Sequence, residues 1–212
     1  MLRNILLSTV VVVSFSACSF KMPFGIPFFS SSPKEDLEEA NLCRALDSKE
    51  KKIKCYEDIL DDNSYAQLRM GLYYADKQKL DKAFELLNES HENENLHSNL
   101  PLAFLYYKGD GVQRDFKKSF ELLKEASEFD PNAAYQLSRF YLQGIETEVD
   151  SEKAINLIKF AANKNLKVAQ EKLVYIYKEG MFGFQKDELN VKYWEEKLKN
   201  NKEDNSMEMF KL

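Results

Sequence analysis

The chain has 212 residues, of which 44% are hydrophobic, and carries 30 Lys+Arg against 35 Asp+Glu for a formal charge of -5. That length suits one elongated folded domain, and an acidic balance without a basic stripe argues against a nucleic-acid partner. Only 2 histidines and 3 cysteines are present, which leaves little material for a hydrolytic or metal centre.

Residues 1–17 read as a targeting segment. Arg3 supplies the positive start, and Ile5 to Val13 is an apolar run. That run is too short to cross a hydrocarbon core as a helix, which takes about 20 residues, and has the length of a signal-peptide core. Phe15-Ser16-Ala17-Cys18 resembles a bacterial lipobox, with phenylalanine in place of the usual leucine. The resemblance implies cleavage before Cys18 and acylation of its sulfur. Ser19, where an aspartate would signal retention, implies by the same resemblance the periplasmic face of the outer membrane. The alternative is a plain secretory signal with Cys18 at the cut. Residues 18–33 place Phe20, Phe24, Phe28 and Phe29 among Pro23, Pro27, Pro33 and several serines, the composition of a tether. Its phenylalanines either sit among lipid headgroups beside the anchor or belong to a simple linker.

Residues 34–63 are expected to form a capping helical hairpin. Leu37, Ala40 and Cys43 share one side of a first helix, Asp47-Ser48 makes the turn, and Ile53, Cys55, Tyr56 and Leu60 populate a second. Cys43 and Cys55 stand at similar distances from that turn. In an oxidising compartment they could be bridged; otherwise they are buried thiols packing as small hydrophobes.

Residues 64–199 repeat one frame. Tyr141-x-x-Gly144 aligns with Tyr106-x-x-Gly109, preceded by Leu137 and Leu102, and before those by Ala133 and Ser98. Asp150 and Asp115 follow, then Lys153-Ala154 and Lys118-Ser119, and a closing Ala161-Ala162 and Ala126-Ser127. Shifted on, the frame catches Ala169, Leu173, Tyr177, Gly180, Asp187, Val191 and Trp194; shifted back, it catches Ala66, Met70, Tyr74, Ala83 and Leu86. A spacing of four puts the small, leucine and tyrosine residues on one helical stripe. Glycine after the tyrosine can close a helix in the left-handed conformation, and the aspartate can cap the next helix. Such a period marks stacked helix pairs. Residues 200–212 form a polar tail that ends in Met207, Met209 and Phe210; it either caps the last pair or frays.

Leu-x-x-x-Tyr-x-x-Gly, Gly-Val, Asp-x-x-Lys and Ala-Ala resemble the Sel-one-like repeat, a relative of the tetratricopeptide repeat. Tyr106-Tyr107-Lys108-Gly109-Asp110-Gly111-Val112 is the closest match. The resemblance implies an all-α, right-handed α-solenoid of antiparallel helix pairs that holds other proteins. The first copy lacks the glycine loop, Thr147 replaces the equivalent of Val112, and the fourth copy is longer around Phe182-Gly183-Phe184.

No Gly-x-Ser-x-Gly, phosphate loop or dinucleotide turn is present. His91 and His97 read as solvated loop residues, and no catalytic set, metal site or cofactor is expected. The frame leaves Tyr65, Leu68 and Leu72 on the inward side of the first unit, and Leu100, Phe104 and Tyr107 in the second. The third unit gives Tyr135, Arg139 and Leu142; the fourth gives Glu171, Tyr175 and Lys178. Phe104, Tyr107, Tyr135, Arg139 and Tyr175 are the expected partner contacts, since aromatic residues and arginine dominate contact hot spots. Tighter stacking would bury them instead. The leading expectation is a lipid-anchored adaptor for envelope proteins, not an enzyme. The alternatives are a cell-wall or β-lactam hydrolase of the cysteine-rich repeat type and a surface-exposed factor for host contact.

Overall fold

A computed structural model describes residues 32–201. The targeting segment, Cys18, nearly all of the tether and most of the C-terminal tail lie outside the described residues. Among the described residues the regular structure is entirely helical: α1 (Pro33–Arg44), α2 (Lys49–Asp58), α3 (Ser64–Asp76), α4 (Leu80–Glu92), α5 (Asn99–Lys108), α6 (Phe116–Ala126), α7 (Pro131–Gln143), α8 (Ser151–Asn163), α9 (Lys167–Glu179) and α10 (Glu188–Asn200), with a 3₁₀ turn at Leu96–Ser98. Consecutive helices pair, and each pair stacks on the next to give an α-solenoid.

The stripe drives the stacking. Ala66, Ser98, Ala133 and Ala169 are each fully buried, as are Met70, Leu102, Leu137 and Leu173 four residues on. Burying one such leucine-sized side chain contributes about 1.5–3 kcal/mol, and no isolated pair offers it a second wall. Two hydrophobic clusters result, one running from Ala40 to Ala154 and one from Ala134 to Trp194; Leu142 and Leu157 pack against both.

Local chemistry explains the rest of the frame. Gly109, Gly144 and Gly180 close α5, α7 and α9 at φ of 79°, 66° and 69°. Asp115, Asp150 and Asp187 cap α6, α8 and α10, their side chains accepting from backbone N–H groups. The same aspartates donate their own N–H to the carbonyls of Tyr106, Tyr141 and Tyr177 at 2.9, 3.0 and 3.0 Å. That bond closes each intervening loop. The lysine three residues beyond the cap lies over the tyrosine ring: Lys118 is 5.0 Å from the Tyr106 centroid and Lys153 is 4.9 Å from that of Tyr141. The first unit achieves the same closure without the glycine loop, since Lys79 N–H donates to the Tyr74 carbonyl at 2.9 Å and Lys82 lies 4.3 Å above the Tyr74 ring.

The hairpin α1–α2 packs on α3. Ser32 and Glu35 form a capping box at the start of α1. The joint with the array is polar and buried. Asp36 accepts from Ser64 N–H at 2.8 Å and from Ser64 Oγ at 2.6 Å, and Asn63 Nδ2 donates to the Asp36 carbonyl at 3.0 Å. Asn63 also caps α3 through its side-chain oxygen.

Candidate functional site

The first helices of the second, third and fourth pairs, α5, α7 and α9, carry the residues expected to face a partner. Three of them are exposed: Phe104 at 38%, Arg139, and Tyr175 at 51%. Tyr107 and Tyr135 are half-buried. Tyr107 meets Phe116 and Phe140 at ring separations of 5.2 and 5.8 Å. Tyr135 packs against the second hydrophobic cluster, and burial raises its hydroxyl pKa above the usual tyrosine value.

The inward side of the first unit is not a surface. Leu100, in the second unit, is buried; in the first unit Tyr65 and Leu68 are buried and Leu72 is half-buried. The reason is the cap: α1 and α2 both lie against α3, so the first array helix is an interior element rather than an end.

Between α5 and α7 the face sinks into a cavity of about 130 Å³. Ala103, Leu123 and Phe140 are among its apolar lining, Phe104 and Tyr107 stand beside them, and Lys108 and Arg139 contribute two cations. Arg139 is exposed and donates from Nη1 to the neutral Gln136 amide oxygen at 2.9 Å. Lys108 reaches Asp110 at 3.9 Å, an exposed contact of little energetic weight. Tyr175, on the next unit, has Lys172 5.7 Å from its centroid.

The two histidines are not solvated loop residues. His91 Nδ1 lies 2.7 Å from Asn99 Oδ1, and Asn99 Nδ2 donates to Glu125 at 2.9 Å. His97 is sandwiched between Tyr65, at 5.9 Å, and Phe129, at 5.4 Å. Burial lowers its pKa; the nearby Asp130 charge opposes that and Arg69 reinforces it. Tyr65 comes from the start of α3 and Phe129 from the link between α6 and α7, both far from His97 in the chain, so linear sequence gives no sign of this cluster. Among the described residues no group of three His, Cys, Asp or Glu is arranged to hold a metal, and no helix is long and apolar enough to cross a membrane.

Cys43 and Cys55 come together in the cap. Their Cα atoms are 5.4 Å apart with the sulfurs joined, a separation within the range of disulfides. Cys18 lies outside the described residues.

Sel1 repeats match residues 64–90, 102–128 and 131–166. The alginate biosynthesis protein AlgK of Pseudomonas syringae is 29% identical over 118 residues; that covers 55% of this chain and 25% of AlgK, so the chain spans a quarter of that relative's length. The crystal structure of a Sel1 repeat protein from Oxalobacter formigenes superposes with a TM-score of 0.69 at 22% identity, covering 82% of this chain and 75% of that one. A protective antigen of uropathogenic Escherichia coli with the same repeat fold, c5321, superposes at 0.66 with 17% identity, covering 84% and 40%. At these identities the two structures speak for the fold alone. The family match stops at residue 166, yet α9 and α10 form one more pair with the same glycine closure and aspartate cap. The Sel1 repeat model thus matches the three pairs from α3 to α8, and α9 and α10 continue the same arrangement.

Proposed function

We propose that the chain is a non-catalytic, lipid-anchored adaptor on the periplasmic side of the outer membrane, which holds other envelope proteins by the face of α5, α7 and α9. The observation that carries this is the group of Phe104, Arg139 and Tyr175, exposed on helices whose other sides are occupied by the core. Elsewhere the exposed apolar side chains, such as Leu42 and Leu189, are those of a normal surface. A rigid stack can hold aromatic side chains out toward a partner with little entropy left to lose on binding. The anchor rests on the lipobox-like Phe15-Ser16-Ala17-Cys18. The likeness to an alginate biosynthesis protein supports a place in making or exporting a surface polymer.

The test is site-specific photocross-linking in intact cells. A photoreactive residue at position 104 or 175 should give a discrete adduct with an envelope protein, while the same residue at Leu42 or Leu189 should give none. Equal adducts at all four positions, or none at 104 and 175, would overturn the face assignment.

A further inference from the structure

The cavity between α5 and α7 has a charge opposite to that of the chain as a whole. Its lining contains Lys108 and Arg139 but no carboxylate, in a chain with five more acidic than basic residues. Glu171, the acid among the inward residues of the frame, does not belong to the lining, and neither does Asp110. Arg139 spends one N–H on a neutral amide and, with five donors in a planar fork, keeps the rest for a ligand. Lys108 is exposed, with only a distant contact to Asp110. The buried lining residues Ala103, Leu123 and Phe140 form the floor, where the Ser119 hydroxyl is already spent on the Ala103 carbonyl. Phe104 is exposed with the two cations, Gln136 and Gln143 also belong to the lining, and a cavity of about 130 Å³ has room for one side chain rather than a helix or a sugar chain. An apolar floor with a cationic rim selects an apolar side chain flanked by anions. The floor supplies affinity through desolvation, and the rim supplies discrimination because like charge on the ligand is repelled.

Resting on the reading of this face as a protein-binding surface, we propose that the cavity takes a single leucine, methionine or phenylalanine side chain from a partner polypeptide whose adjacent residues are aspartate or glutamate. Arg139 and Lys108 pair with those carboxylates, and the inserted side chain packs on Ala103, Leu123 and Phe140, with Phe104 at its edge.

The probe is a random peptide display library selected on the purified full chain, on Arg139→Glu, on Phe104→Ser and on a chain ending at Asn201. Thermal melts confirm that each variant is folded; both substituted side chains are exposed, so the midpoints should hold. On the full chain, enriched peptides should share a large apolar residue flanked by acids, and representative peptides should bind about tenfold tighter than versions with lysine flanks. Arg139→Glu should abolish or reverse that preference, and Phe104→Ser should remove enrichment. Enrichment without acidic bias, or a bias that survives Arg139→Glu, overturns the inference. Enrichment on the chain ending at Asn201 but not on the full chain would assign the cavity to the protein's own tail, in which Glu203, Asp204, Met207, Glu208 and Phe210 offer the same chemistry, and would equally overturn it. The two readings fail separately. If photocross-links at position 104 persist while the acidic bias is absent, the face still binds protein and only the proposed ligand chemistry is wrong.

Discussion

The Asp36 carboxylate accepts two hydrogen bonds from Ser64, one from its backbone N–H at 2.8 Å and one from its hydroxyl at 2.6 Å, across a separation of 28 residues. Both residues are buried. The pair therefore ties the capping hairpin to the first turn of the array, where a negative group also complements the helix N-terminus. Asp36→Ala leaves the Ser64 donors without this acceptor in a closed site. The expected cost is about 1–3 kcal/mol, read as a lower urea midpoint, with the exposed Glu38→Ala as an unaffected control.

The bridge between Cys43 and Cys55 should appear as two cysteines protected from alkylation until reductant is added. A loop this short predicts a contribution of roughly 2–3 kcal/mol. It should be lost from the cap first, as faster hydrogen exchange in α1 and α2, while α7 to α10 keep their protection.

Two glycines should respond unequally to alanine. Both have positive φ, 69° at Gly111 and 83° at Gly183, so both substitutions carry a backbone cost of about 1–2 kcal/mol. A Cβ at Gly111 would collide with the Leu80 carbonyl oxygen, against backbone that cannot swing aside; at Gly183 it would meet nothing within 4 Å. Gly111→Ala should therefore be clearly the more destabilising in paired thermal melts.

His97 makes stability depend on pH in a defined sense. Its folded pKa is lowered by burial between Tyr65 and Phe129, so the unfolded chain takes up the proton first as pH falls. The His97 contribution is fully present above the ordinary histidine pKa, is lost as pH drops from there through the lower folded value, and changes no further below it. Between about pH 7.5 and 5.5 the wild type should lose more stability than His97→Phe, which keeps an aromatic ring in the stack. Equal losses in both would remove His97 from the explanation.

These cases also separate what the sequence discloses from what it does not. The small, leucine, tyrosine, glycine and aspartate positions of the repeat were legible because their causes are local. A left-handed glycine, an N-cap and a spacing of four act within one helix pair, and the first unit could be recognised even without its glycine loop. Exposure was less legible. Leu68 holds the frame position of Tyr135, yet it is buried because the cap covers the first unit, and that covering depends on where Asp36 meets Ser64. The His97 stack needs Tyr65 and Phe129, each about thirty residues away, so no local pattern announces it. The cavity was half legible. Phe104, Tyr107 and Arg139 follow from the frame, but its wall at Phe140 depends on how closely α7 approaches α5.

The central claim is that an aromatic face on the first helices binds an envelope protein. The most direct measurement is partner capture by the double variant Phe104→Ser, Tyr175→Ser. It is made by affinity purification from cross-linked envelope, alongside a thermal melt. The account predicts an unchanged melting midpoint and loss of the partner recovered with the wild type. A variant that melts lower would mark these residues as structural, and one that keeps both its midpoint and its partner would contradict the account.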